Sequence, residues 1–157
     1  MLNLTDKKLQ KQYQSILTAI YNTLQLKGNL ILELEFVDAT TIHQLNLEHR
    51  QKDKPTDVLS FGFLELPALG IGEYPEFNSE NFALDFDNKQ AAVFIGSAVI
   101  CKEVAATQAR EYGQTEKEEL AYLLVHSILH LLGHDHETND SDKKIMRALE
   151  EKILCRK

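Results

Sequence analysis

Apolar residues at Leu9, Tyr13, Ile16, Leu17, Ile20 and Leu24 recur at three- and four-residue intervals, and this stripe predicts an amphipathic helix over residues 5–26. Gly28-Asn29 breaks the pattern. Residues 30–37, L-I-L-E-L-E-F-V, then alternate with a period of two. Leu30, Leu32, Leu34 and Phe36 face a core, and Glu33 and Glu35 point away from it. Asp38 is placed to cap a second helix running to about His49. Arg50–Thr56, with three basic residues and a proline, reads as a loop, and Val58–Phe63 as another strand.

Residues 64–90 hold Pro67, Gly70, Gly72 and Pro75 as breakers, and six acidic residues against Lys89. They predict a flexible, acidic surface loop or flap with room for a short strand, partly packed through Tyr74, Phe77, Phe82 and Phe86. Ala91–Ile100 has the length and β-branching of a buried strand. Helical patterning resumes over 101–112 and stops at Gly113. Thr115 and Glu118 form a capping box that opens a helix reaching about Leu132. A last helix over Asp140–Leu154 places Ile145, Met146, Leu149 and Ile153 on one face. With no internal repeat and no linker, residues 1–157 read as one domain of the α/β (α+β) class. The elements amount to a small mixed β-sheet of about four strands flanked by about five helices.

Composition adds limits. At 157 residues, 43% hydrophobic and 26% charged, the chain can bury a core without disulfide or metal staples. Cys101 and Cys155 lack the spacing of a metal or redox pair, so reduced thiols are expected. No window approaches a membrane span, and Met1–Gln14 lacks the apolar core of a signal peptide; the expected compartment is the cytoplasm. Seventeen basic against twenty-four acidic residues give a formal charge of −7. That balance counts against a protein that coats nucleic acid through many phosphate contacts, but leaves room for a confined basic site.

Candidate chemistry concentrates in His126–His136, H-S-I-L-H-L-L-G-H-D-H, which holds four of the six histidines. On a helix, His126 and His130 lie one turn and roughly 6 Å apart on one face, a spacing at which two imidazoles share a metal ion. Gly133 can close the helix in a left-handed cap, so that the chain turns back and His136 reaches the same ion. Three neutral imidazoles leave a position open for water, and they suit zinc, nickel or copper. His134 points elsewhere on the turn, as a spare or supporting group. Asp135 serves either to orient a histidine or to cap the turn.

The segment Leu45–Phe61 gathers Arg50, Lys52 and Lys54 in a chain that is otherwise acidic. Beside a metal these residues would bind phosphate, Arg50 through the planar two-pronged match of a guanidinium to phosphate oxygens. Thr56 and Asp57 are expected to fix the turn into the next strand.

Asn46-Leu47, Arg50, Asp53 and the run Pro55-Thr56-Asp57-Val58-Leu59-Ser60-Phe61, followed by a buried strand and then H-x-x-L-H-L-x-G-x-D-H, resemble the YbeY family of bacterial metal-dependent endoribonucleases. The resemblance covers nearly the whole chain. It implies an α/β fold with a zincin-like metal-bearing helix and one divalent ion per chain, Zn2+, held by His126, His130 and His136. It implies that Arg50 is essential for RNA processing. It further implies a single-strand-specific endoribonuclease acting in small-subunit rRNA 3′-end processing and ribosome assembly. Ribosomal RNA, the small ribosomal subunit, a ribosomal protein and a small GTPase are the implied partners.

Three positions depart from the family pattern. Ser127 stands where glycine usually follows the first histidine, which bears on helix packing. Gly96-Ser97-Ala98-Val99-Ile100 stands for G-D-x-V-I and lacks a carboxylate expected near the site. Gly62 stands for proline, and the acidic loop after it is longer than usual.

The leading reading is therefore hydrolysis of an RNA phosphodiester, with Arg50 holding the phosphate and the metal activating water or polarising a phosphoryl oxygen. Whether water at the metal or the RNA's own 2′-hydroxyl attacks is left open. A zinc peptidase would need a glutamate directly after the first histidine, where this chain has Ser127. The remaining alternative is a non-catalytic ribosome assembly factor whose metal only pins the helix end, although structural zinc more often has four closed ligands including cysteine.

Overall fold

The computed structural model describes residues 1–87, 90–135 and 139–155. Its chain opens with a short strand, β1 (Leu2–Leu4), and the helix expected over 5–26 is divided into α1 (Lys7–Gln12) and α2 (Gln14–Thr23). Asp6 starts α1 by accepting from the backbone N–H groups of Lys8 and Leu9 at 2.9 and 3.1 Å. The division falls at Tyr13, whose φ and ψ of −106° and 14° leave the helical basin while its ring is buried. β1 lies parallel to β2 (Leu30–Val37) with Leu2 opposite Leu30. Three residues are too few to show a periodicity, which is why the sequence pattern does not reveal β1.

The remaining elements are α3 (Ala39–Arg50), β3 (Val58–Gly62), β4 (Asp85–Asp87), β5 (Gln90–Cys101), α4 (Lys102–Glu111), α5 (Glu116–Leu131) and α6 (Asp140–Leu154). They follow the expected boundaries closely, and Asp38 caps α3 by accepting from Thr41 N–H at 2.8 Å. The sheet runs β1-β2-β5-β3, with β4 paired to β5 off that path. β1, β2 and β5 are mutually parallel, whereas β3 and β4 run antiparallel to β5. This is the mixed sheet of a single α+β domain.

Helices cover both faces. On one, Ile42 of α3 packs with Leu59, Val99 and Cys101. On the other, α2, α5 and α6 enclose the larger core around Leu30, Leu32, Val93, Ile95 and Ala98. Ile145, expected on the buried face of α6, is instead 51% exposed, and Glu150 is buried between Met146 and Ile153. The buried stripe follows the steps 146, 150 and 153, and Ile145 sits one residue, about 100°, off it.

The irregular segment before β4 is partly packed, as its aromatics suggest. Tyr74 and Phe77 are buried, and Phe82 stacks on Phe77 with ring centroids 5.2 Å apart. Phe77 donates to the Lys27 carbonyl at 2.8 Å, and its own carbonyl accepts from Asn29 N–H at 3.0 Å. The side chain of Phe86 and all of Lys89 lie outside the described residues.

A bulge sets the seat of α5. The register of β2 against β5 shifts between Ile31 and Leu32, so that Ile31 faces Phe94 and Leu32 faces Gly96. Gly96 has φ 142°; a Cβ there would run into the Phe61 carbonyl oxygen and come within 2.7 Å of Leu131 Cδ2. Its bare backbone lets the last turn of α5 lie directly on the sheet. Gly96→Ala should therefore cost about 2–3 kcal/mol through backbone strain and overpacking. Urea denaturation would show a lower midpoint with an unchanged m value, and an unshifted midpoint would refute the close approach.

Candidate metal centre and basic cleft

α5 begins in the expected capping box: Thr115 Oγ1 accepts from Glu118 N–H and Glu118 Oε1 from Thr115 N–H, both at 3.1 Å. Leu120, Leu124, Ile128 and Leu131 turn into the core, which leaves His126 and His130 on the facing stripe. Their rings are 4.8 Å apart, centroid to centroid, and inclined at 72°. The helix closes in a Schellman motif: Gly133 N–H donates to the His130 carbonyl and His134 N–H to the Leu129 carbonyl, each at 3.0 Å. Gly133 takes φ 102°, and a Cβ there would lie 2.5 Å from the Leu66 carbonyl oxygen. The turn is thus pressed against the segment that precedes β4.

His126 Nδ1 lies 3.0 Å from Glu150 Oε2, and both side chains are largely buried. A carboxylate that accepts from Nδ1 leaves Nε2 as the nitrogen with a free lone pair. Tyr122 bonds the same carboxylate. Its phenol is pushed well above the usual range, first by burial and then by the negative charge of Glu150. His126 and His130 therefore fit two of the imidazole ligands of a divalent cation. His136, the expected third ligand, lies outside the described residues. Among the described residues no third His, Cys, Asp or Glu completes a metal-binding group.

His134 does a different job from that of a spare. It is buried, and its Nε2 is 2.6 Å from the Tyr74 hydroxyl. Burial lowers its basicity and raises the pKa of Tyr74. The pair ties the turn after α5 to the irregular segment. Ser127 is also buried, and its Oγ is 2.7 Å from Ser60 Oγ of β3. The hydroxyl that replaces the family's usual hydrogen is thus accommodated by a cross-link between helix and sheet. Ser127 is fully enclosed and contacts β3, so the position a zinc peptidase gives to its general base performs packing here.

Between α5, β3 and the end of α3 lies a cleft of about 820 Å³. The structure brings Arg50, Lys52, Lys54, His126, His130 and Asp135 to its walls, so the two halves of the site indicated by the sequence face each other. Arg50 belongs to the last turn of α3 rather than to the loop, and Gln51 ends that helix in the left-handed conformation at φ 55°. Asp57 fixes the turn as expected, accepting from Val58 N–H at 2.7 Å and from the Thr56 hydroxyl at 3.2 Å. Ser97, in register with Phe61 of β3, shares the sheet face of Val99 and Cys101 and is not part of the cleft lining. A Cβ at 62 would make only ordinary van der Waals contact, its nearest neighbour being the Leu64 carbonyl oxygen at 3.7 Å.

Asn46, which opens the motif quoted from the sequence, and Glu150 are given no role there. Asn46 lines the cleft, donates to the Lys54 carbonyl at 2.8 Å, and has a buried Oδ1 without a partner among the described residues. Glu150 supports His126 from another helix. Each is a polar residue on an otherwise apolar stripe, Asn46 four residues after Ile42 and Glu150 four after Met146. That break in pattern is the signal that could have exposed them.

A family model described as Endoribonuclease YbeY matches residues 2–156. Among curated relatives, an Endoribonuclease YbeY of Carboxydothermus hydrogenoformans is 40% identical over 155 residues, covering 97% of this chain and 92% of the relative. One from Clostridium kluyveri is 38% identical over 153 residues, covering 98% and 91%. Another, from Syntrophomonas wolfei subsp. wolfei, is 36% identical over 148 residues, covering 94% and 86%. The solution structure of a Thermotoga maritima protein shares the fold, with a TM-score of 0.55 and 22% identity over 99% of this chain and 90% of that one.

Because Tyr74 satisfies a buried nitrogen, Tyr74→Phe should destabilise the protein by about 1–3 kcal/mol. The check is thermal unfolding beside Tyr112→Phe, whose ring is 66% exposed and which should change little. Equal melting temperatures for the two variants would remove the pinning role from the Tyr74–His134 bond.

Proposed function

The chain belongs to the YbeY family, and we propose that it is a metal-dependent endoribonuclease that cuts single-stranded ribosomal RNA during small-subunit 3′-end maturation. The observation that carries this reading is the cleft itself. It sets three cationic side chains, Arg50, Lys52 and Lys54, across from a pair of adjacent imidazoles in a protein of net charge −7. Placing positive charge there costs nothing in the way of general nucleic-acid affinity and suits one phosphate at one place.

In this reading His126, His130 and His136 hold a single divalent cation, zinc. Such an ion, when bound, supplies Lewis acidity at the phosphoryl group and lowers the pKa of water. The protein's own side chains do the rest. Arg50 grips two phosphate oxygens and stays charged as negative charge grows in the transition state. Lys52 and Lys54 hold the neighbouring backbone phosphates. Asp135, on the wall beside His130, orients a histidine or the substrate. The buried Oδ1 of Asn46 offers an acceptor to a hydroxyl at the cleft floor. A single strand with its bases turned outward would present its phosphates to these cations. The same reading places the protein in the cytoplasm on the small ribosomal subunit, with a ribosomal protein and a small GTPase as partners.

Elemental analysis of protein purified without an affinity tag should find about one zinc per chain, lost in His130→Ala; a wild type without metal would sink the proposal. Arg50→Ala should keep its metal and its fold while cleavage of a single-stranded RNA falls about 10²–10³-fold. Undiminished cleavage by that variant would remove Arg50 from the chemistry. With three cations facing the strand, log affinity against log salt should slope by only about −2. A much steeper slope would mean that RNA contacts a wider surface than this cleft.

A further inference from the structure

Behind the wall of the cleft, where α6 crosses α5, a carboxylate is buried on a helix face that is otherwise apolar. Glu150 is 7% exposed and sits between Met146 and Ile153, at 0% and 4%. We infer that Glu150 is a positioning residue for His126: it holds the imidazole in the Nδ1–H form and aims Nε2 into the cleft. The hydrogen bond stands on its own geometry; its consequence for metal binding rests on the reading given under Proposed function.

A buried carboxylate is costly unless its lone pairs are engaged. An apolar side chain would serve the packing of α6 better, so the charge needs a reason. Two donors supply it: His126 Nδ1 at 3.0 Å and the Tyr122 hydroxyl. A second cavity of about 240 Å³ is lined by both Tyr122 and Glu150, together with Glu119, Arg147 and Glu151. Without the phenol contact the carboxylate could swing into that space. Tyr122 and His126 also line the cleft, so Tyr122, Glu150 and His126 lie between the two cavities. An imidazole anchored through one nitrogen presents the other in a fixed direction and as the stronger base, which is how outer carboxylates act on metal-ligating histidines.

The test compares Glu150→Ala and Glu150→Gln with Met146→Ala, which removes packing from the same face of α6 and leaves the carboxylate in place. Long-range 1H–15N NMR of the metal-free protein at pH 8 reads the tautomer of each imidazole. Wild type and Met146→Ala should show His126 as Nδ1–H, and Glu150→Ala should move it toward Nε2–H. Zinc affinity, measured by competition with a chromophoric chelator, should fall about 10–100-fold in Glu150→Ala and stay within about threefold in Met146→Ala. Glu150→Gln, which keeps shape and an acceptor, should fall between them, and it carries the test if the alanine variant does not fold. An unchanged tautomer in both Glu150 variants overturns the inference, as does an equal loss in Met146→Ala. A wild type that shows the Glu150-dependent tautomer but binds no zinc would refute the metal reading and leave the positioning role intact.

Discussion

The close contact of α5 with the sheet at Gly96 is the constraint from which the site follows. A helix normally stands off a sheet by the depth of its side chains. Here the bulge in β5 leaves bare backbone under Leu131, and the last turn sinks toward β3. Three further ties hold that turn. Ser127 bonds Ser60 of β3, Gly133 closes the helix in a Schellman motif against Leu66, and His134 bonds Tyr74. Two imidazoles 4.8 Å apart are therefore carried on a helix end with little freedom to move. The metal site proposed for this helix end would need such rigidity, because ligands must be held within a fraction of an ångström of the coordination geometry.

Electrostatics explain the other wall. The protein as a whole repels a polyanion, yet the end of α3 and the loop after it bring Arg50, Lys52 and Lys54 to one cleft. Arg50 and His49 lie in the last turn of α3, where the helix dipole favours positive charge. The left-handed Gln51 then turns the chain so that the lysines follow the cleft instead of continuing outward. The acidic balance elsewhere suppresses nonspecific binding. Under the proposed function, specificity would then rest on the shape of this cleft rather than on overall charge.

Much of this was legible in the sequence because the informative signals were local. The capping box at Thr115 and Glu118, the alternation over 30–37 and the caps at Asp38 and Gly133 each act within a few residues, and the structure has them all. The two motif-bearing segments also meet as their residue types suggest. What the pattern could not show depends on contacts between distant parts of the chain. β1 is a strand only because β2 lies beside it, and the break at Tyr13 follows from burying that ring. Arg50 is helical because α3 runs one residue further than its polar composition implied. His134 looked redundant because Tyr74, sixty residues earlier, gives it its role. Ile145 was assigned to the core by hydrophobicity alone, whereas the stripe of α6 passes through a glutamate.

That glutamate bears on how such a site tolerates change. The residues that define the reaction are short-range in sequence and form recognisable motifs. The residues that hold them come from α6, α5, β3 and the irregular segment, and of these Glu150, Tyr122 and Tyr74 carry no motif of their own. A pair such as Ser60 and Ser127 shows how departures are absorbed: the added hydroxyl finds a partner, and the helix keeps its seat. Ser97, by contrast, is paired with Phe61 of the cleft wall but does not itself line the cleft. Departures of this kind are better weighed by the contacts at each position than by the motif they interrupt.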